Sequence, residues 1–304
     1  MAGSLRVIKG GEAMGMGLAD YIWLDANGDL AFKKKSILIG RDEKGEPVPL
    51  LDRWSFFSYP DEEDEGQTLI LSPCYYLPDP TRPQPNYIVL CEVRDEDDHC
   101  TEGNYRAKLR RALEARGKQA NLVWFGFEQS YSLGEHEKDP DYDGRRFDTA
   151  ERHIGACFDA GLLLHSAWDH LGWEEWAFKI GYRGFPQDLD PDPPNALVVA
   201  DHLIIARYLM EKIGASKNLV PEWEDLDIFV STAELREPGG DEIEVVRELH
   251  NLLAPLGDTR ALPHPTHGGT QCIEISSEEP GDPYQLALDV LDAVWPLKNA
   301  IIEE

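Results

Sequence analysis

The chain has 304 residues, 42% of them hydrophobic and 28% charged, with a formal net charge of −28. That length allows one large domain or two modest ones around a real core, and so acidic a balance excludes the positive surface that nucleic acids and anionic membranes reward. A solvated acidic surface accounts for the charge, or else the binding of cations or of a basic partner.

No run of about 18 apolar residues occurs, so no membrane span is expected. Residues Met1 to Gly17 carry Arg6 and Lys9 but no continuous apolar stretch, and are not read as a secretion signal. Five scattered cysteines (Cys74, Cys91, Cys100, Cys157 and Cys272) without a C-x-x-C pair fit neither a disulfide framework nor a zinc ribbon. A reducing cytoplasm is the expected location.

In chain order, Tyr21 to Leu24 is a short apolar strand, followed by Asn27-Gly28, a pair suited to a tight hairpin. Leu30 to Leu38 resumes as a strand interrupted by Lys33, Lys34 and Lys35. Thr68–Leu71 and Tyr87–Val93 form a second strand pair across a proline-rich loop, Pro78 to Pro85, and Asp61 to Gly66 is an acidic, solvated loop. From Asn104, a helix cap, the texture changes to helices alternating with strands. The helices are Tyr105–Arg116, Asp148–Ala160 (ending at Gly161), Asp201–Ile213, Asp241–Leu253 and Tyr284–Leu297, the last opened by Asp282-Pro283. In Asp201–Ile213, Ile205, Leu209, Met210 and Ile213 share one face. The strands are Val123–Phe127, Trp176–Gly181 and Asp227–Ser231. A small β-rich module, residues 1–103, thus precedes an α+β domain, residues 104–304.

Two clusters invite chemistry. Glu128 closes the aromatic strand Trp124-Phe-Gly-Phe, where a carboxylate points into a polar cavity or simply marks an exposed strand end. Trp168-Asp-His-Leu-Gly-Trp-Glu-Glu-Trp176 sets Asp169, His170, Glu174 and Glu175 among three tryptophans, a donor set for a hard or borderline divalent ion, or a solvated acidic loop. No P-loop, nucleophile elbow or H-E-x-x-H occurs, and His267-Gly-Gly-Thr270 is too short to mean phosphate binding.

Taken together, Tyr21-Ile-Trp-Leu-Asp25, Asp79-Pro-Thr-Arg-Pro-Gln-Pro-Asn86, Trp124-Phe-Gly-Phe-Glu-Gln-Ser-Tyr-Ser-Leu133, Ala156-Cys-Phe-Asp-Ala-Gly161, Trp176-Ala-Phe-Lys-Ile-Gly181, Asp201-His-Leu-Ile-Ile-Ala-Arg207 and Ser231-Thr232 resemble the eukaryotic-type glutamine synthetases, in the order that family shows them. The resemblance implies an α+β fold: an N-terminal β-grasp domain and a C-terminal domain on a curved antiparallel sheet with helices. It implies ring-shaped homo-oligomers, decamer-like, with sites between neighbouring subunits. It also implies a reaction in which ATP phosphorylates glutamate and ammonia displaces phosphate, with two divalent ions neutralising the charge. Ser231 and Thr232 fall in the stretch matching the family's nucleotide-binding motif.

The same resemblance exposes departures. The motif E-Q-E-Y becomes Glu128-Gln-Ser-Tyr131, His170 stands where one ion takes another glutamate, and Ala177 stands where it takes a third. Neutral serine and alanine cannot supply that charge. The second ion keeps acidic candidates, Glu128, Asp227 and Glu274, which suit one Mg²⁺ or Mn²⁺ or else pair with Arg152 or Arg207. Phe57, in the loop Trp54 to Tyr59, replaces an aspartate that handles ammonium, and a phenyl ring accepts no proton. Between Leu253 and His264 the chain lacks a long family segment with its flap glutamate and substrate arginines, and Gly134 to Gly144 is also short. The expected function is a glutamine-synthetase-like protein that has lost standard glutamine synthesis and serves as a binding, regulatory or assembly partner, including to an active paralogue. The alternative is a one-metal, ATP-dependent ligase joining a different amine to a carboxylate, for which Phe57, Trp168 and Trp173 suggest an apolar substrate.

Overall fold

The computed structural model describes residues 15–58, 66–135, 142–169, 175–181, 195–236, 242–263, 270–277 and 281–301. The chain divides into two compact units, residues 1–107 with 159–161 and residues 108–158 with 162–304. Among the described residues no helix is long and apolar enough to cross a membrane.

The first unit is a six-stranded mixed sheet. Its strands are Gly15–Leu24 (β1), Leu30–Arg41 (β2), Pro47–Leu50 (β3), Trp54–Ser58 (β4), Gln67–Pro78 (β5) and Tyr87–Arg94 (β6), in the spatial order β3-β2-β1-β6-β5-β4. The central pair β1–β6 is parallel and the others are antiparallel. The hairpin between β1 and β2 is wider than a two-residue turn. Asp25 pairs with Asp29 through a backbone bond of 2.9 Å, and the Asp25 carboxylate accepts from the backbone N–H of Asn27 (2.8 Å) and Asp29 (3.0 Å). Gly28 takes the left-handed position, with φ of 84°. The three lysines do not interrupt β2: the Lys33 ammonium lies 4.5 Å from the Phe56 ring centroid, and Lys35 bonds Asp52 at 2.6 Å. The segment carrying Phe57 is no loop either, since Trp54–Ser58 pairs with β5 as an edge strand. Most of the acidic segment Asp61 to Gly66, residues 61–65, lies outside the described residues.

The second unit is built on a fully antiparallel, curved sheet. Its strands are Trp124–Glu135 (β7), Leu164–Asp169 (β8), Glu175–Gly181 (β9), Leu219–Ser231 (β10), Asp258–Pro263 (β11) and Thr270–Ser277 (β12), ordered β11-β12-β10-β7-β9-β8. The helices are Tyr105–Arg116 (α1, which begins in the first unit), Tyr142–Asp159 (α2), Ala196–Ala215 (α3), Ala233–Arg236 (α4), Glu242–Leu253 (α5) and Pro283–Ile301 (α6). The caps come from the residues suited to them. Asn104 accepts from Ala107 N–H at 3.1 Å, Asn195 from Val198 N–H at 3.2 Å, and Asp282 from Tyr284 N–H at 2.7 Å.

Helix α3 is longer than its apolar stripe suggests, and it is buried nearly all round, from Val199 through Met210, including Asp201, His202 and Arg207. A helix of that kind belongs in a core. It packs on β7, β9 and β10 and against α6. One face of the sheet is thereby committed to apolar packing, by Phe127, Tyr131, Phe178, Ile180, Ile228, Ile273 and Ile275. Because side chains alternate along a strand, the residues between them are turned to the other face. The architecture is α+β, the class the resemblance implies.

Candidate functional site

Strand β7 runs through Glu135, so Glu128 stands in mid-strand rather than at a strand end. Asp227 is likewise inside β10. The ladder registers align them. One row across the sheet reads Asp258, Ser276, Asp227, Glu128, Lys179 and Ser166, each directly opposite the next. The row beside it reads Arg260, Glu274, Phe229, Gly126 and Gly181. On the far side of Glu128, Ser130 faces Ala177, which faces Trp168. These rows share the face turned away from α3.

Carboxylate oxygens of Glu128, Asp227 and Glu274 lie within 4.8 Å of one another. Two cations meet them. Lys179 Nζ is 2.6 Å from Glu128 Oε2 and 4.4 Å from the Phe229 ring centroid. Arg260 donates to Glu274 Oε2 from Nε at 2.7 Å and from Nη2 at 2.5 Å, reaching in from an exposed position to a buried carboxylate. Burial lifts the Glu128 carboxyl above the usual carboxylate range; the Lys179 hydrogen bond and charge pull it down, and Asp227 and Glu274 push it up. Asp227 is raised for the same first reason, with a Ser276 hydrogen bond opposing and Glu274 adding. The expected alternative partners are elsewhere. Arg152 bonds Asp148 on α2 at 2.8 Å, and Arg207 meets Gln129 on the opposite face of the sheet.

Comparison with known proteins gives the lineage. No protein-family profile matches the chain. Curated glutamine synthetases do: that of Eremothecium gossypii is 27% identical over 266 residues, covering 75% of this chain and 66% of the relative. That of Kluyveromyces lactis is 28% identical over 276 residues (77% and 68%), and that of Saccharomyces cerevisiae 25% over 256 residues (73% and 65%). The chain is similar to the glutamine synthetases, as a divergent and shortened relative of them. It spans about two thirds of the length of the curated relatives it matches.

In this glutamine synthetase relative, three of the expected metal ligands, Glu128, Asp227 and Glu274, come together and the fourth, His170, lies outside the described residues. Oxygen donors converging this way suit Mg²⁺ or Mn²⁺ by type. By charge they do not fit as they stand, because Lys179 and Arg260 already use one oxygen each of Glu128 and Glu274. Ser231 ends β10, about 13 Å along the strand from Asp227 at ~3.3 Å per residue, and Thr232 follows it. Both are buried, and Thr232 Oγ1 has no hydrogen-bond partner among the described residues.

Lys179 and Arg260 are the site residues that sequence reasoning passed over. Lys179 had a signal. In Trp176-Ala-Phe-Lys-Ile-Gly181 the alternation of Phe178 and Ile180 puts Lys179 on the face of Ala177. Arg260 had none, because only the β11–β12 register brings it opposite Glu274.

Proposed function

We propose that the chain keeps a glutamine synthetase scaffold without the family's ATP-dependent synthesis of glutamine, and serves as a binding, regulatory or assembly subunit. The observation that supports this best is the pair Ser130–Ala177. The resemblance puts two acidic ligands of one ion at these positions, and here they stand directly opposite each other and carry no charge. A triphosphate and a tetrahedral anion need cations aimed at them, and that electrostatic stabilisation is the largest part of such catalysis. Phe57, half-exposed on the edge strand β4, gives the first unit no proton acceptor at the matching position.

The rest follows the family: a β-grasp-like N-terminal domain over 1–103 and a catalytic-type domain over 104–304, a cytoplasmic homo-oligomeric ring, and mixed rings with an active paralogue as a route to regulation. The test incubates the purified chain with glutamate, ammonium, ATP and Mg²⁺ or Mn²⁺. Glutamine should stay at the level of the protein-free control, and turnover above it would remove the proposal. Size-exclusion chromatography of the chain with an active paralogue tests the mixed ring, which predicts co-elution and altered output.

The convergence of Glu128, Asp227 and Glu274 within 4.8 Å favours a second reading, a one-metal ligase that uses ATP to join an amine other than ammonia to a carboxylate. Its test is ADP release across a panel of apolar amines and carboxylates. No release with any of them would end it.

A further inference from the structure

We infer that the ammonium of Lys179 takes the place of a divalent ion among Glu128, Asp227 and Glu274, so that this cluster is closed by a cation the chain supplies itself. Lys179 is directly opposite Glu128 on the neighbouring strand, the pairing in which oppositely charged side chains meet best. Its ammonium is 2.6 Å from Glu128 Oε2, and it sits 4.4 Å from the centre of Phe229, a residue that stands directly opposite Glu274. The lysine is thus held on two sides, by a carboxylate and by an aromatic face. Arg260 closes the other edge on Glu274, leaving Asp227 with Ser276.

Three carboxyl groups therefore face two fixed cations before any ion arrives. A divalent ion entering the same space has to give up Glu128 Oε2 as a ligand or drive the ammonium off it, and then stands beside a like charge. Removing one partner of such a partly buried pair leaves the other with part of the cost of an unpaired charge. In Lys179→Met that unpaired charge becomes an incentive to bind a metal, since methionine keeps the unbranched stem over Phe229 and drops only the ammonium.

The experiment measures binding of Mn²⁺ alone to the full-length chain by titration calorimetry and by electron paramagnetic resonance of the free ion. The wild type should bind weakly at this site, Lys179→Met at least about tenfold more tightly, and Lys179→Arg like the wild type. The gain should vanish in Lys179→Met with Glu128→Gln, which separates this cluster from the many other acidic groups. Circular dichroism checks folding, and Lys179→Gln replaces Lys179→Met if that variant does not fold. Wild-type affinity equal to that of the lysine-free variant, or no gain in it, overturns the inference. The readout is metal affinity, so the result stands apart from whether the chain makes glutamine.

Discussion

Arg207 on α3 donates from Nε to Gln129 Oε1 on β7 at 2.9 Å, on the helix-covered face of the sheet and one residue along from Glu128. Gln129 passes the contact on. Its Nε2 donates to the carbonyls of Ser130 (2.8 Å), Asp225 (3.2 Å) and Glu224 (3.3 Å), the last two being the residues bulged out of the β7–β10 ladder between Trp223 and Leu226. One amide therefore anchors a buried guanidinium and satisfies a bulge, and both residues are buried.

Gln129→Leu is expected to cost about 3 kcal/mol, because it leaves a buried charged donor short of an acceptor and the bulge carbonyls without their donor. Urea unfolding should show a lower midpoint with an unchanged slope. A loss under about 1 kcal/mol would mean that water or a neighbour replaces the amide. Burial already depresses the Arg207 guanidinium to about 10, so the charge kept here is one the fold must work to hold.

A second expectation concerns acid. His153 on α2 donates from Nε2 to the Ala206 carbonyl at 2.9 Å, and His202 Nδ1 accepts from the Leu163 N–H at 3.1 Å. Burial lowers each from its ordinary 6.5 to about 4. In both cases the unfolded chain binds a proton that the folded chain refuses, so their stabilisation is whole above about 6.5 and is lost as the pH falls toward about 4. By pH 5 each histidine should have cost about 2 kcal/mol. Asp282 works the other way, since burial raises it to about 6 and protonation relieves that strain below it. The measurement is therefore a difference: the loss of stability between pH 7 and pH 5 should be smaller in His153→Gln than in the wild type by about 2 kcal/mol. Equal losses would show that His153 is not held neutral.

How much of this was legible in the sequence varies element by element. The strands around Tyr21 and Tyr87 were readable because apolar runs end at turn residues, and the helix starts at Asn104 and Asp282 because capping chemistry is local. The true length of β7 was not, since Ser130, Ser132 and Gly134 interrupt the apolar signal while pairing with β9 or β10 keeps the strand extended. The meeting of Glu128, Asp227 and Glu274 spans 146 positions of chain, and no spacing rule predicts it; the family resemblance carried that expectation. The cations that meet them needed the register. Alternation along β9 places Lys179 on the face of Ala177, but its pairing with Glu128, like that of Arg260 with Glu274, is set only across a ladder.

The last expectation tests the neutral pair itself. Ser130 and Ala177 are opposite one another and share a face with Glu128, two residues along β7. Placing carboxylates at both, in Ser130→Glu with Ala177→Glu, brings like charges into direct cross-strand contact, which should cost about 1 kcal/mol without metal. With Mn²⁺ at a hundredfold excess over the dissociation constant, binding should return about 2.7 kcal/mol. The double variant should therefore melt below the wild type in chelator and rise by a few degrees on adding Mn²⁺, while the wild type stays within a degree or so. On the proposed reading the double variant makes no glutamine either, because Phe57 still offers no base. If Mn²⁺ shifts the wild type as far as the variant, the missing charge lies elsewhere, and the pair Ser130–Ala177 no longer supports the proposed loss of glutamine synthesis.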